Sequence, residues 1–508
     1  MTTEPSIAAN DSLRVLQVSA EIFPLLKTGG LADVAGALPA ALHAAGADPR
    51  LLLPAFPAIR AGLADDVRDL GSFALPWGGT ARLLRGRLPA VAAGDGGAVA
   101  YLLDIPALYD RPGDPYADAQ RVPYADNHLR FAALGWAAVE LAAGRDADWA
   151  PLLVHGHDWH AGLVPACLRL APATAHRHVP CVFTVHNLAY QGLFDAALFP
   201  ELGLPAEAMQ VDGLEFYGRI SFMKSGLFYA DRITTVSPGY AREIQTAEQG
   251  QGLDGLLRAR RDVLHGILNA VDTAVWNPAT DALLPQHFKP GRMAGKARCK
   301  AALQAECELQ AVPDAPLFTV VSRLTEQKGL HLVLGALDSI LAAGGQLLVL
   351  GSGDRALEHA FTRAAHAHQG RMAVRIGYDE ALAHRMFGGS DFTCVPSHFE
   401  PCGLTQIYGM LYGCLPLVRR VGGLADTVVD TDLATLDDGS ATGIVFDDFS
   451  VAALAHAVHR ACALYRRRRD LAAVRNTAMR RDAGWAASAA AYRALYDELT
   501  RCRASPCT

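Results

Sequence analysis

Residues 13–54 read LRVLQVSAEIFPLLKTGGLADVAGALPAALHAAGADPRLLLP. A short apolar run (13–19) leads through a polar, glycine-bearing turn into an Ala- and Leu-rich helical stretch near 31–45. A second apolar run, RLLLP, follows at 50–54. Strand, helix and strand in that order predict a parallel sheet with helices over both faces. The pattern continues with AVAYLLD (98–104), a helix near 126–143, LLVHG (152–156), CVFTVH (181–186) and RITTVS (232–237). It restarts with LFTVVS (317–322), QLLVLGS (346–352), MAVRIG (372–377), FTCVPS (392–397) and LPLVRR (415–420). The fold class expected is therefore α/β, with two doubly wound domains in series.

The length of 508 residues agrees, because one hydrophobic core does not serve so long a chain. The break is expected between Asn269 and Pro290, where NAVDTAVWNPATDALLPQHFKP carries three prolines and a cluster of turn formers. The domains are thus set at 1–268 and 275–480. Residues 481–508 form a terminal amphipathic helix whose Trp485, Tyr492 and Tyr496 recur at helical spacing. The run RRRR (466–469) is expected on the solvated face of a late helix.

Composition excludes several classes of function. Apolar residues make up 51% and charged residues 19%, a globular balance that leaves no long disordered region. A net charge of −6 offers nucleic acid no general attraction, so an anionic ligand must be held by local Lys and Arg. No uninterrupted apolar stretch reaches membrane-spanning length, and MTTEPSIAANDSLRV lacks the basic start and apolar run of a signal peptide. The ten cysteines (167, 181, 299, 307, 394, 402, 414, 462, 502 and 507) include no CxxC pair, which suits buried free thiols in a reducing cytoplasm.

Ligands of open parallel sheets bind beyond the carboxyl ends of the strands, so the residues there are expected to carry the chemistry. KTGGLADV (27–34) and VGGLADTV (421–428) echo one another, and each places two glycines where a backbone can approach an anion. In the first turn Lys27, Gly29, Gly30 and Asp33 suit a phosphate, or Lys27 is simply exposed. After LLVHG, the trio His155, His157 and His160 suggests a metal, but only Asp158 could complete the ligand shell. Trp159 is either a sugar-stacking platform or core. Arg323 and Lys328 follow a strand and could neutralise a pyrophosphate, or pair with Glu326. In PSHFEPCGLTQIYGMLYG (396–413), Glu400 precedes a helix start at Gly403 to Thr405 that favours an anion, with Thr405 alternatively an N-cap. The acidic pair Asp430 and Asp432 reads as a loop.

Taken together, SAEIFPLLKTGGLADVAGALP, HGHDWHAGL, FTVHNLAYQG, SRLTEQKG, SHFEPCGLTQIYGMLYG and GGLADTV, in this order, resemble the bacterial glycogen synthases. These are retaining ADP-glucose-dependent glucosyltransferases related to plant starch synthases, and the resemblance runs from about residue 13 to residue 498. It implies a GT-B architecture: two Rossmann-like doubly wound domains facing a deep cleft, with the C-terminal helix crossing back to the N-terminal domain. It implies that Lys27 contacts ADP-glucose, that Arg323 and Lys328 hold the diphosphate, and that Cys402, Gly403, Leu404 and Thr405 form the phosphate-side helix start. Glu400 would bind glucose hydroxyls near the reacting carbon and His186 would lie under the sugar. Asp158, Asn187 and Asn269 would line the sugar site, and Tyr109 and Tyr116 would stack on glucan.

Four positions depart from the family pattern: His398 stands for an arginine, Val421 for a threonine, and Tyr124–Ala125 for a Trp–Pro pair. The partners implied are ADP-glucose and glycogen or another α-1,4-glucan, with no nucleic acid and no membrane. Lysine and arginine replace a divalent metal at the diphosphate, so no cofactor is expected. No second carboxylate accompanies Glu400, which favours front-face substitution over double displacement. Other nucleotide-sugar transferases of the same architecture would share the cations and the carboxylate but not KTGGLADV with HDWHAGL. A non-catalytic glucan-binding relative would be expected to have lost Lys27 or Glu400.

Overall fold

The computed structural model describes residues 12–64, 66–89, 97–174 and 178–501. The extreme N-terminal segment, Cys502 and Cys507 lie outside them. The described chain divides into two compact units, one of residues 12–236, 241–267 and 485–501 and one of residues 237–240 and 268–484.

The first unit is built on strands β1 (Leu13–Val18), β2 (Ala47–Pro54), β3 (Arg68–Ala74), β4 (Thr80–Leu88), β5 (Ala98–Asp104), β6 (Leu153–His157), β7 (Cys181–Val185), β11 (Arg232–Thr235) and β12 (Leu264–Gly266). Between β7 and β11, strands β8 (Leu193–Asp195), β9 (Glu215–Phe216) and β10 (Arg219–Ser221) make a small separate antiparallel sheet. The main sheet runs β12-β11-β7-β6-β1-β2-β5-β4-β3. It is parallel from β12 to β5, and β4 and β3 then add an antiparallel edge. That edge corrects the all-parallel expectation. The turn between β3 and β4 needs Gly78 and Gly79 in left-handed backbone, a local hairpin signal set among apolar residues that do not alternate cleanly.

Val15 pairs with Pro49 on one side and Leu153 on the other, so chain order reverses between β1 and β6. Such a reversal leaves a crevice at the carboxyl ends of the two strands, and the unit's strand-end side chains gather there. The helix Gly30–Ala44 leaves β1 through Gly29, which has extended backbone and no side-chain cap.

The second unit has six parallel strands, β13 (Leu317–Val321), β14 (Gln346–Gly351), β15 (Met372–Ile376), β16 (Phe392–Val395), β17 (Leu415–Arg419) and β18 (Ile444–Phe446). Their order, β15-β14-β13-β16-β17-β18, is the Rossmann order 3-2-1-4-5-6, with the reversal between β13 and β16. Strands β14 and β16 are buried throughout and β17 up to Arg419, as a sheet covered on both faces requires, while edge strand β15 is exposed at Arg375 and Ile376.

Two expectations shift. Residues 269–290 are not a linker: Trp276 is buried between the His384 ring at 3.7 Å and the Tyr408 ring at 3.8 Å, so the second unit begins at Leu268. The proline-rich sequence marks irregular backbone, while its apolar side chains still fill a core. The arginine run is a corner: one helix ends at Arg466, the next starts at Arg468, and all four arginines are exposed. The terminal helix Ala486–Arg501 belongs to the first unit, with Tyr492 and Tyr496 fully buried.

Candidate active site

At the reversal in the first unit, Glu21 sits beyond β1 and is buried. Thr28 donates to its carboxylate through N–H (2.6 Å) and Oγ1–H (2.5 Å), and the Tyr116 hydroxyl also donates to it. Burial raises the Glu21 pKa and these donors pull it back down. Held in this way, the turn presents Lys27, whose Nζ lies 2.9 Å from Asp33 Oδ1 and 5.1 Å from the Phe23 ring centre. A Cβ placed on Gly29 would meet nothing within 4 Å, so open space lies before this turn.

Beyond β6, Asp158 has left-handed backbone (φ 61°) and accepts the Trp159 N–H at 2.7 Å. Such a φ is strained for aspartate, and strain of this kind persists where surrounding structure enforces it. Burial drives its pKa up to about 7, against the backbone N–H groups of Trp159, Asn187 and His186, which favour the anion. Beyond β7 comes His186, buried, with Nε2 3.1 Å from His157 Nδ1. Asn187 follows, partly exposed, and accepts the Ala189 N–H.

At the reversal in the second unit, Glu400 is 5% exposed, and its Oε2 lies 2.6 Å from Lys328 Nζ and 2.8 Å from the donating Ser397 Oγ. The loops after β13 and β16 are laced together: the His398 N–H donates to the Gln327 carbonyl, and Gln327 Nε2 donates to the Phe399 carbonyl. Gly329 (φ 64°) permits this, since a Cβ there would lie 2.1 Å from the Pro396 carbonyl oxygen. Arg323 is exposed at the same strand end. Asn269 is buried, its Oδ1 has no hydrogen-bond partner among the described residues, and its backbone N–H donates to Cys402 Sγ. Burial pushes the Cys402 thiol up to about 12, which leaves it an inert packing group.

Several expectations change. Tyr109 cannot stack on glucan: it is 1% exposed, and its hydroxyl donates to the Arg130 carbonyl at 2.7 Å. Tyr116 is half-buried, with its ring 4.8 Å from that of His160. Trp159 is mainly a packing residue, wedged among Phe131, His160 and the backbone at Gly192. Thr405 does not cap a helix; it is the first residue of Thr405–Leu411, and Leu404 holds the cap position. The Thr405 hydroxyl donates to the Val321 carbonyl.

The second glycine turn is filled by the protein itself. The Gly423 N–H donates to the Glu400 carbonyl, and a Cβ on Gly423 would lie 2.3 Å from the Cys402 carbonyl oxygen. Its role is to seat the Glu400 loop. The three histidines do not converge on one point: His155 binds Tyr496 and Thr184, His157 binds His186, and His160 packs on Tyr116. Among the described residues, no group of three or more His, Cys, Asp or Glu side chains could hold a metal ion. Asp430 pairs with Arg460, and Asp432 caps a short helix. At the variant positions, His398 is exposed with its ring 4.7 Å from that of Phe449, and Val421 is a buried cap residue. Tyr124 lies under the Arg130 guanidinium.

A family model described as the starch synthase catalytic domain matches residues 14–259, and one for group 1 glycosyl transferases matches residues 307–474. The chain is 60% identical to the glycogen synthase of Variovorax paradoxus (strain S110), covering 95% of this chain and 98% of that protein. The chain belongs to the glycogen synthase family. The glycogen synthase of Leptothrix cholodnii is 58% identical over 96% of this chain and all of that protein. The catalytic domain of starch synthase IV from Arabidopsis thaliana, solved bound to ADP and acarbose, superposes with a TM-score of 0.86 at 30% identity, covering 96% and 100% of the two chains.

As a member of the glycogen synthase family, the chain is a glycosyltransferase with the GT-B fold. Sucrose-phosphate synthase from Thermosynechococcus elongatus, at a TM-score of 0.58 and 18% identity, shares the fold alone. No described helix is long and apolar enough to cross a membrane. Sequence pointed to Glu21 only as one of the residues after the first strand and to His157 only as a tempting metal ligand, and it did not single out Ser397. Each is an ordinary residue type at a strand end, and its role appears only through its partner.

Proposed function

We propose that the enzyme transfers glucose from ADP-glucose to the non-reducing end of an α-1,4-glucan with retention of configuration, releasing ADP. The observation that carries this is the buried Glu400 carboxylate, held by Lys328 and Ser397 at the carboxyl-end reversal of the second unit's sheet. A carboxylate fixed there suits sugar hydroxyls, and the neighbouring cations Arg323 and Lys328 suit a diphosphate. Glu400, Lys328, Arg323, Lys27 and His186 are the proposed catalytic set. Asn269, with its unpartnered buried Oδ1, can accept a hydrogen bond from a sugar hydroxyl. Asp158 and Asn187, with the Gly403–Thr405 helix start, complete the proposed contacts.

In the transfer, the bond from the anomeric carbon to the β-phosphate oxygen breaks. The acceptor's 4-hydroxyl oxygen bonds to that carbon from the same face, and its proton passes to the departing phosphate. Charge builds on the diphosphate. Two charge-assisted hydrogen bonds to it contribute about 3–6 kcal/mol, a rate factor of about 10²–10⁴. That is enough to assist departure without a metal, so we propose that none is required. The eight buried free thiols among the described residues support a reducing, cytoplasmic setting. The test is radiolabel transfer into glycogen from ADP-glucose against UDP-glucose. Incorporation from ADP-glucose is expected, and its absence would refute the assignment.

A further inference from the structure

We propose that His157 is a positioning residue that locks His186 as the Nδ1–H tautomer by donating its own Nδ1–H to His186 Nε2. The inference rests on the placement of His186 under the transferred sugar.

The two rings meet through His157 Nδ1 and His186 Nε2 at 3.1 Å, both side chains buried at the ends of β6 and β7. Burial holds both imidazoles neutral, His157 down at about 3 and His186 well below the ordinary range. Two neutral imidazoles share a single proton in such a bond, so one tautomer determines the other. His157 Nε2 breaks the symmetry, because it is buried with no hydrogen-bond partner among the described residues. An orphaned buried N–H is rarer in proteins than an under-satisfied acceptor, so Nε2 is the bare nitrogen and the proton sits on Nδ1.

His157 is also held in place. The His155 ring lies 4.1 Å from it and is itself fixed by Tyr496 (2.6 Å) and Thr184 (2.6 Å). His186 is then left with its proton on Nδ1, which makes no hydrogen bond to the described residues. This yields a neutral donor suited to a sugar hydroxyl oxygen. Neutrality matters because a charged imidazolium would oppose the positive charge that develops at the anomeric carbon.

The test uses the full chain labelled with ¹⁵N-histidine, with the His186 signals assigned by their loss in His186→Asn. The wild type is expected to show a protonated Nδ1 and a bare Nε2 at residue 186. His157→Asn, whose amide can donate from the position of Nδ1, should keep that tautomer and keep kcat within about twofold, whereas His157→Leu should release the tautomer and lower kcat about 10–100-fold with little change in donor KM. A proton on Nε2 of His186 in the wild type overturns the proposal, as does an unchanged tautomer in His157→Leu. The wild-type spectrum alone decides the point if His157→Leu does not fold. A released tautomer with kcat unchanged would instead overturn the sugar-site role of His186 on which the inference rests.

Discussion

Glu400 keeps its carboxylate out of water because Lys328 and Ser397 both reach it. Glu400→Gln keeps the shape and removes the charge, so kcat should fall about 10²–10³-fold while nucleotide affinity changes far less. Steady-state kinetics beside ADP titration separate the two, and equal losses in both would assign Glu400 to binding. Lys27→Ala should lower kcat/KM for ADP-glucose about 10²-fold, yet shift stability by no more than about 1 kcal/mol, since its Asp33 pair is partly solvated. Unchanged kinetics would remove Lys27 from the site. Asp158 supplies a pH signature. Its folded pKa, about 7, is raised above the ordinary 3.8, so the folded state binds the extra proton. Its contribution to stability is therefore complete below about pH 4 and is lost as pH rises through 7. Asp158→Asn, which cannot ionise, should gain on the wild type between pH 4 and 7 in urea midpoints, and a flat difference would refute the raised value.

At the scale of elements, two Gly-Gly turns of nearly identical sequence have different roles. Gly29 opens on empty space, while Gly423 is pressed against the Cys402 backbone. A five-residue motif specifies a strand-to-helix turn, but whether that turn meets a ligand or the protein depends on a loop twenty residues away in the chain. The terminal helix makes the same point through Tyr496, which is buried and hydrogen-bonded to His155 Nδ1 across 341 residues. Tyr496→Phe should leave the His155 nitrogen without a partner and destabilise the protein by about 1–3 kcal/mol, read by chemical denaturation. No measurable change would mean the helix is held by apolar packing alone. The strands were legible because apolar runs between turn formers are local signals. The hairpin β3–β4 and the core role of residues 268–290 were not, because antiparallel pairing and burial are settled by distant neighbours.

For the whole molecule, cation-assisted departure of ADP predicts that a chelator leaves the rate of glucose transfer unchanged. Loss of activity in EDTA, restored by a divalent ion, would refute the metal-free mechanism. The α/β class, the number of domains, the strand-end placement of Lys27, Arg323, Lys328 and Glu400, and the family were all legible in the sequence. Periodicity and motif spacing depend on residues close together in the chain, and so survive in one dimension. Tertiary structure alone decided that Tyr109 is core and that Ser397 and Lys328 share Glu400. It also decided that His157 faces His186 and that the second glycine turn is closed by its own protein. Burial and partnership are properties of three-dimensional neighbourhoods, and residue type constrains them only weakly.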